Sequence, residues 1–517
     1  MSGSAGLIVA LNSAGPATLA ALRTLPSAVS TINLRADLAG DIDAAQIRQQ
    51  SACQLIYSLR SQAQGGASID PDSIRHRRLL AAAQHFDIVE LEAERDTVPR
   101  LLAAIEPARR LVSWHGAGVD AASLARRFAA MARVEAALYL LVPRARRFVE
   151  TIAPLHFLNA LGRRDVVAYD AGPAGFWTRL IAPRLGAPFI FGETDEESAA
   201  PDLASIAALI DDYGLPALPP VQTLYGIVGR SALCSRSPRL HNAKYRADGR
   251  AAIFLPFPTL EFVEVRESMT AIEELARLGL SLRGLTVTAP FKEAALALAD
   301  CRSMTAMAAG AANLLVRRNG GWQADTTDPV GVLDALADRR LPVRGMATAV
   351  LGCGGAGRAV AAALREAGAR VTLVNRSTSR GRAAARRLGL PFLPLARLRP
   401  ADYALLINAT PVGSDGASTL VDAKALAGAA VVVDLVYGRG VTPLAAGARA
   451  RGLTAVDGLE ILTHQVRHQY ARMAEVDDRR VVSHHRGNGH GIRPVRETDA
   501  YDEPPAGSSE SDEESRP

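Results

Sequence analysis

A glycine-rich turn, Val350 to Ala359, constrains the fold more than any other stretch of this sequence. Its letters are V-L-G-C-G-G-A-G-R-A, and it joins an apolar, strand-like run at 347–351 to an alanine-rich stretch typical of a helix. Closely spaced glycines let the backbone turn tightly and approach a ligand, and the N-terminus of the following helix favours an anion. The turn therefore indicates either a dinucleotide pyrophosphate site in a parallel α/β sheet or a tight connection without a ligand.

The next stretch, 369–380, contains a strand that ends in Asn375 and Arg376, and it bears on the choice of dinucleotide. It reads A-R-V-T-L-V-N-R-S-T-S-R and places Asn375 and Arg376 where a dinucleotide fold meets the adenosine ribose. An acidic residue at that point favours NAD, whereas arginine suits a 2′-phosphate. Asn375, Arg376 and Arg380 therefore predict NADP, and further strand signals at 405–413 and 431–437 predict a parallel sheet.

Lysine is scarce in this chain and marks a second candidate site. It occurs only at Lys244, Lys292 and Lys424, while arginine fills nearly every other cationic position. Lys292 ends the stretch T-V-T-A-P-F-K after a predicted strand, and proton transfer near neutral pH can use lysine but not arginine. Asp328 is a candidate partner; the alternatives are a solvated lysine and an ordinary helix N-cap.

Other polar residues of the second half gather at predicted turns. Ser235 and Ser237, spaced i, i+2 before a helix, could both donate to one carboxylate, or could simply cap a helix that begins near Pro238. Asn313 and Thr327 are expected, with Asp328, on strand-to-helix turns. Gln465, on a predicted amphipathic helix at 457–470, could reach into a cleft.

The first 213 residues alternate short apolar runs with helix-like stretches, a rhythm typical of a (β/α)8 barrel. The eight predicted strands are Leu7–Leu11, Ala28–Leu34, Gln54–Leu59, Asp87–Leu91, Arg110–Trp114, Ala136–Val142, Val166–Tyr169 and Pro188–Phe191. Barrel enzymes place their sites at the C-terminal ends of the strands, where this chain has polar residues: Asn33, Arg35, Arg60, Glu92, His115 and Arg179.

Composition narrows the class of protein further. The net charge of +6 is spread along the chain, so it predicts solvated surface and no nucleic-acid footprint. No apolar run is long enough to span a bilayer and no cationic region precedes an apolar core at the N-terminus, so a cytoplasmic location without membrane contact is expected. The four cysteines form no C-x-x-C pair, which argues against a disulfide framework and a zinc site; no metal is expected.

The N-terminal motifs I-N-L-R-A-D-L, Y-S-L-R-S-Q-A-Q-G-G, F-D-I-V-E-L-E, V-S-W-H and A-G-P-A-G-F-W-T-R resemble those of type I 3-dehydroquinate dehydratases. The resemblance implies a proton-shuttling histidine at His115 and substrate-binding arginines at Arg60 and Arg179. The family's imine-forming lysine would fall near Leu138 or Tyr139, but this half of the chain contains no lysine. Arginine cannot form an imine, so we expect a degenerate barrel without dehydratase chemistry.

Residues 222–474 resemble shikimate dehydrogenases through S-R-S-P-x-x-H-N, T-V-T-x-P-x-K, G-A-x-N, T-D-x-x-G, G-x-G-G-x-G-R, N-R-S, N-A-T-P-x-G, D-L-V-Y and G-x-x-x-L-x-x-Q. The resemblance implies a substrate domain and a Rossmann domain that reduce 3-dehydroshikimate with NADPH. It makes Lys292 and Asp328 the catalytic pair. The implied substrate-binding residues are Ser235, Ser237, Thr288, Asn313, Tyr437 and Gln465, and the implied NADP-binding residues are Gly352, Gly354, Gly355, Ala356, Gly357, Asn375, Arg376, Arg380 and Thr410.

The predicted architecture is thus an α/β chain, a barrel followed by a two-domain dehydrogenase. Two alternatives stay open: a bifunctional enzyme that also dehydrates 3-dehydroquinate, and a non-enzymatic sensor of quinate or shikimate. Ile461 and Thr286 depart from the usual dehydrogenase pattern and leave the choice between shikimate and quinate open. The predicted segments are the barrel at 1–213, a proline-rich linker at 214–221, the substrate domain at 222–338, the NADP domain at 339–456, a returning helix at 457–474 and a disordered tail at 475–517.

Overall fold

A computed structural model describes residues 5–194, 204–218, 221–259, 262–437 and 440–485. Three sheets organise these residues, one in the first half of the chain and two in the second. Among the described residues, no helix combines the length and the apolar character needed to cross a bilayer.

The first sheet is an all-parallel barrel of eight strands, so the predicted barrel fold is confirmed. Its order is β7-β6-β5-β4-β3-β2-β1-β8. The strands, each overlapping one predicted from sequence, are β1 (Gly6–Leu11), β2 (Val29–Arg35), β3 (Gln54–Ser58), β4 (Ile88–Glu92), β5 (Arg110–Ala117), β6 (Leu138–Arg144), β7 (Val166–Ala168) and β8 (Phe189–Glu193).

Helices surround this barrel and pack against the outward-facing side chains of its strands. They are α1 (Pro16–Ala21), α2 (Ala36–Ala39), α3 (Ala44–Arg48), α4 (Asp72–Ala82), α5 (Pro99–Ala104), α6 (Ala121–Met131), α7 (Ala153–Leu161), α8 (Phe176–Ile181) and α9 (Ile206–Asp211). Because side chains alternate along a strand, Leu138 and Leu140 fill the barrel interior while Tyr139 packs outward against Phe128.

The second sheet is mixed and follows the order β10-β9-β11-β13-β14-β12. Its strands are β9 (Thr223–Gly229), β10 (Ala252–Pro258), β11 (Ser281–Val287), β12 (Cys301–Arg302), β13 (Leu314–Arg318) and β14 (Gly321–Asp325). Strand β13 runs antiparallel to both of its neighbours. The associated helices are α10 (Ser237–Ala247), α11 (Phe262–Glu273), α12 (Lys292–Leu298), α13 (Met304–Ala309) and α14 (Asp328–Asp338).

The third sheet is parallel throughout, as predicted, and has the order β17-β16-β15-β18-β19-β20. Its strands are β15 (Ala347–Leu351), β16 (Arg370–Asn375), β17 (Phe392–Pro394), β18 (Leu405–Asn408), β19 (Val431–Asp434) and β20 (Thr454–Val456). Helices α15 (Gly355–Glu366), α16 (Thr378–Leu388), α17 (Pro443–Ala450) and α18 (Gly458–His485) complete this part of the chain. Strand order reverses on either side of β15, which places the glycine-rich turn at the point where such sheets bind ligands.

The C-terminal helix α18 extends further than the sequence predicted. It reaches His485, whereas disorder was expected from residue 475 onward. The chain between 475 and 485 contains no glycine or proline to end a helix, and Arg318 Nη2 donates to Glu475 Oε2 at 2.6 Å. The remainder of the predicted disordered tail, 486–517, lies outside the described residues.

An aromatic seam, defined by Phe148, Trp177 and Phe257, joins the barrel to the second sheet. Trp177 on α8 is fully buried; its ring stacks on Phe148 at 6.0 Å and meets Phe257 of β10 edge to face at 5.5 Å. The apolar cores of the barrel's outer layer and of the second sheet form one continuous cluster around these rings. Strand β10, an edge of the second sheet, is therefore covered by the barrel.

Candidate active site

A lysine and an aspartate form an ion pair at one edge of the second sheet. Lys292 begins α12 and Asp328 begins α14, and Lys292 Nζ donates to Asp328 Oδ2 at 2.6 Å. The lysine side chain is 18% exposed and the aspartate 5%. A lysine ammonium carries three N–H donors, so two remain available to a ligand that approaches the exposed part of the side chain.

Two amides fix the second oxygen of the aspartate. Asn313 Nδ2 donates to Asp328 Oδ1 at 2.9 Å, and Gln465 Nε2 donates to the same atom at 3.2 Å. Asn313 also accepts from the backbone N–H of Thr327 at 2.8 Å. The carboxylate is thus held by three side-chain donors, and its orientation toward the lysine is set before any ligand binds.

The turn that carries Asn313 differs from the predicted one. Asn313 lies at the start of β13, on a helix-to-strand turn, and the expectation of a strand-to-helix turn was wrong. Because β13 is antiparallel to β11 and β14, its N-terminal end shares an edge with their C-terminal ends. Lys292, Asn313 and Asp328 therefore meet at that edge.

Helix α18 supplies Gln465 because α14 carries a glycine where the two helices cross. A Cβ atom at Gly331 would lie 2.5 Å from Gln465 Cγ, so a larger residue would push the helix away. One turn further on, Gln469 Nε2 donates to Thr327 Oγ1 at 3.0 Å, while its Oε1 lies 3.1 Å from His241 Nε2. Gln469 was missed from sequence, although its i+4 spacing from Gln465 places both on one helix face.

The predicted hydroxyl-bearing residues follow strands of two sheets: Ser235, Ser237 and Thr288 follow strands of the second, and Tyr437 follows β19 of the third. Ser235 Oγ lies 3.5 Å from the hydroxyl of Tyr437 and accepts from the backbone N–H of Ser237 at 3.1 Å. Burial raises the pKa of Tyr437, and the nearby Asp328 charge raises it too, while hydrogen bonds from both serines oppose the shift. Thr288 follows β11, and its methyl group packs against Gly229 at the end of β9. Ser235 and Tyr437 are therefore neighbours, and Tyr437 lies within reach of the Asp328 charge.

The glycine-rich turn has the geometry that a dinucleotide phosphate requires. Gly352 has φ +100°, which favours glycine, and a Cβ at Gly357 would fall on the carbonyl oxygen of Gly352. At Gly354, the N-cap of α15, a Cβ would have no atom within 4 Å. The turn is therefore closed on the protein side and open where the N-terminus of a twelve-residue helix points, which fits a pyrophosphate.

The remaining predicted NADP residues lie along the same edge of the third sheet. Thr410 packs against Gly352 and donates both N–H and Oγ1 to Asn408 Oδ1, at 3.1 and 2.7 Å. Asn375 ends β16 and donates to the carbonyl of Ser377, the N-cap of α16. Arg376 and Arg380, the latter in the first turn of α16, have exposed side chains. Two guanidinium groups beside the end of β16 fit a ribose that carries a 2′-phosphate.

The turn and the ion pair are close neighbours. A Cβ at Gly355 would lie 2.8 Å from Cβ of Ala311 and 3.2 Å from Cβ of Lys292; Ala356, the next predicted residue, follows in the first turn of α15. The second and third sheets therefore meet at the residues predicted to hold a proton donor and a dinucleotide. Such an arrangement suits hydride and proton transfer to one small polar substrate.

The barrel mouth holds a separate group of buried charges. Arg60 lies 3.8 Å from Glu90 as an ion pair, and Arg179 lies over the ring of Tyr169 at 4.4 Å. Within the described part of the chain, Arg179 Nε and Nη1 and His115 Nδ1 are buried without a hydrogen-bond partner. Burial, then the charges of nearby arginines, holds the pKa of His115 well below its usual value.

Neither position at which the resemblance places the family's lysine carries an amine. Of the two candidates from sequence, Leu138 faces the barrel interior and Tyr139 faces outward. Leu138 packs in the interior cluster with Ile8 and Ile56. A leucine has no amine, so this strand offers no nucleophile for a ketone.

Two family models match the chain. One, described as type I 3-dehydroquinase, matches residues 14–216. The other, described as the shikimate dehydrogenase substrate binding domain, matches residues 227–315. The two matches fall on the barrel and on the second sheet.

Several bacterial proteins are similar to the second half of the chain. Shikimate dehydrogenase (NADP(+)) of Acidiphilium cryptum is 41% identical over 246 residues, which cover 47% of this chain and 87% of that protein. The protein of the same name from Rhodospirillum rubrum is 41% identical over 256 residues and is covered to 88%. A solved structure of dehydroquinate dehydratase and shikimate dehydrogenase from S. pombe AroM matches over 90% of this chain and 95% of its own, at 20% identity and a TM-score of 0.39.

Proposed function

Because the chain belongs, through its second half, to the shikimate dehydrogenase family, we propose that residues 222–474 catalyse the NADP-dependent interconversion of 3-dehydroshikimate and shikimate. The contact of Lys292 with Asp328 beside Gly355 carries this proposal. The glycine-rich turn, Thr410, Asn375, Arg376 and Arg380 would hold NADP, which supplies the hydride when bound.

In the reduction, Lys292 Nζ donates a proton to the 3-oxo oxygen of the substrate while the ring carbon accepts the hydride. Asp328 keeps the ammonium oriented through Oδ2 and is itself held through Oδ1 by Asn313 and Gln465. In the reverse direction the lysine accepts the hydroxyl proton. General acid–base catalysis of this kind contributes about 10²–10⁴-fold.

The substrate carboxylate would lie between Ser235 and Ser237, whose hydroxyls can donate hydrogen bonds to an anion. Tyr437 borders that position. Thr288, Asn313 and Gln465 would bind ring hydroxyls, since each places a hydroxyl or amide near the edge where the ion pair lies. A substrate that lacks the carboxylate should therefore bind weakly.

The decisive assay is oxidation of NADPH by the full chain with 3-dehydroshikimate, repeated with NADH and with the quinate counterpart. The proposal expects turnover with NADPH and 3-dehydroshikimate. A protein that binds shikimate yet never oxidises NADPH would instead be a sensor of the kind left open by the sequence.

We further propose that the barrel has lost dehydratase chemistry while keeping a mouth that binds a carboxylate. The leucine at position 138 in the barrel interior supports the loss, and the unpartnered donors of Arg179 support the retained binding. Borohydride added with 3-dehydroquinate should leave no covalent adduct on the barrel. An adduct, or formation of 3-dehydroshikimate from 3-dehydroquinate, would instead make the protein bifunctional.

A further inference from the structure

One arginine of the nucleotide-binding helix holds three separate segments together. Arg358 on α15 donates from Nε to the carbonyl of Ala309 at 2.7 Å and from Nη1 to the carbonyl of Cys353 at 3.0 Å. Its Nη2 donates to Glu293 Oε1 at 2.7 Å and to the carbonyl of Gly310 at 3.3 Å. The side chain is only 12% exposed, so these bonds face little competition from water.

Each of the three segments carries part of the candidate site. Cys353 lies within the glycine-rich turn, and Glu293 directly follows Lys292. The turn at 309–310 leads into Asn313, and the N–H of Ala312 donates to the carbonyl of Lys292 at 2.8 Å. One guanidinium therefore links the predicted phosphate site to the catalytic lysine and to an amide that holds Asp328.

A second arginine strengthens the same junction. Arg387 on α16 donates to the carbonyls of Ala308 and Met307 at 3.1 and 2.6 Å. Four consecutive carbonyls at the end of α13 thus accept from cations of the third sheet's helices, which is favourable at a helix C-terminus. Gly310 has φ +64°, and a Cβ there would lie 2.6 Å from Arg387 Cζ.

We propose that Arg358 is a positioning residue that couples dinucleotide binding to substrate binding. It fixes the distance between the glycine-rich turn and the pair of Lys292 and Asn313, so that a ligand ordering one side orders the other. A lysine cannot replace it, because a single ammonium lacks the planar fork that reaches acceptors in several directions. This inference rests on the proposed dehydrogenase function.

The test measures binding in the dead-end complex of NADPH with shikimate, in which no hydride can transfer. In the unchanged protein, bound NADPH should tighten shikimate by about fivefold or more. In Arg358→Ala this factor should fall toward one. The matched control is Arg365→Ala on the same helix, since Arg365 bonds to the carbonyl of Leu388 within the third sheet's own helices and its loss should leave the factor unchanged.

The rate of catalysis and its isotope effect provide a second measurement, which should not change if Arg358 has a purely structural role. Arg358→Ala should lower kcat by about 10–100-fold, because misplacement of about 1 Å costs that much, and should raise the isotope effect on kcat measured with NADPH deuterated at the transferred position. Free guanidinium ion should restore part of the rate, and Arg358→Lys should restore little.

The outcomes separate the two levels of proposal. If the unchanged protein binds neither NADPH nor shikimate, the dehydrogenase proposal fails, and the coupling role fails with it. If it binds both and turns over, but Arg358→Ala keeps the coupling factor and the isotope effect while only Tm falls, the positioning role is overturned.

Discussion

Lys292 and Asp328 lie 36 positions apart in sequence, yet their side chains meet at 2.6 Å. We expect Lys292→Ala to lower kcat by about 10²–10⁴-fold, the scale of a lost general acid, with a smaller change in KM for NADPH. Lys424→Ala, which removes an exposed lysine of the third sheet's domain, is the control and should keep full turnover. Steady-state NADPH oxidation measures both; near-normal turnover in Lys292→Ala would refute the assignment.

Arg376 and Arg380 should determine the preference for NADPH over NADH. Each can donate to a 2′-phosphate, and a lost hydrogen bond to a charged group costs about 1.5–3 kcal/mol, so Arg376→Ala should raise KM for NADPH by about 10–100-fold. KM for NADH should stay the same. Arg382→Ala, an exposed arginine on the same helix as Arg380, should change neither value; a parallel rise in both KM values for Arg376→Ala would contradict 2′-phosphate recognition.

His241 should make stability depend on pH. Burial lowers its pKa to about 4 from 6.5, opposed in part by the bond to Gln469. Between these values the unfolded chain binds a proton that the folded chain does not, so the free energy of unfolding should fall by up to about 3 kcal/mol as pH drops from 6.5 to 4.

Urea unfolding of the unchanged protein and of His241→Gln, at pH 7 and at pH 4.5, isolates this contribution. Other buried groups oppose it, because burial raises the pKa of Asp170 to about 7, and they act equally in both proteins. The difference between the two proteins should therefore change with pH. An identical pH dependence would show that His241 does not contribute.

The aromatic seam should make the barrel and the dehydrogenase half unfold together. Trp177→Ala and Phe257→Ala should each lower the free energy of unfolding by about 3–5 kcal/mol. The double variant should lower it by less than the sum, because each single variant already removes the contact between the two rings. Phe86→Ala, which removes a buried ring packed on Tyr57 in the outer layer of the barrel, should add fully to Phe257→Ala.

Urea titration of the full chain, followed by tryptophan fluorescence and by loss of NADPH oxidation, provides the measurement. A single transition with both probes is expected. Two well-separated transitions in the unchanged protein would contradict the seam as a source of shared stability.

Much of the fold follows from local sequence signals. The eight barrel strands and the parallel third sheet come from apolar runs separated by helical stretches, and the resemblance to shikimate dehydrogenases is confirmed by relatives such as the Acidiphilium cryptum protein. Strand ends were less accurate: β18 and β19 stop at Asn408 and Asp434, whereas the predicted runs continued to 413 and 437. Residues 409–413 and 435–437 follow these strands as loops.

Contacts between distant residues could not be predicted from the sequence, because they depend on strand directions and helix crossings that local patterns do not encode. Nothing in G-A-A-N specifies that β13 runs antiparallel, yet that direction brings Asn313 to Asp328. Gln469 bonds to a threonine hydroxyl and to a histidine ring from other helices and loops. Arg358 donates to one carboxylate and to three backbone carbonyls. Backbone acceptors leave no trace in residue types.

The covered edge of the second sheet has a consequence for how this gene can change. Deleting the coding region of the barrel would leave Phe257 and its neighbours on β10 facing water, so a shorter product would lose stability in its dehydrogenase half. Selection on the stability of the dehydrogenase half alone is therefore sufficient to retain the outer wall of the barrel at α8, whatever chemistry the barrel itself performs.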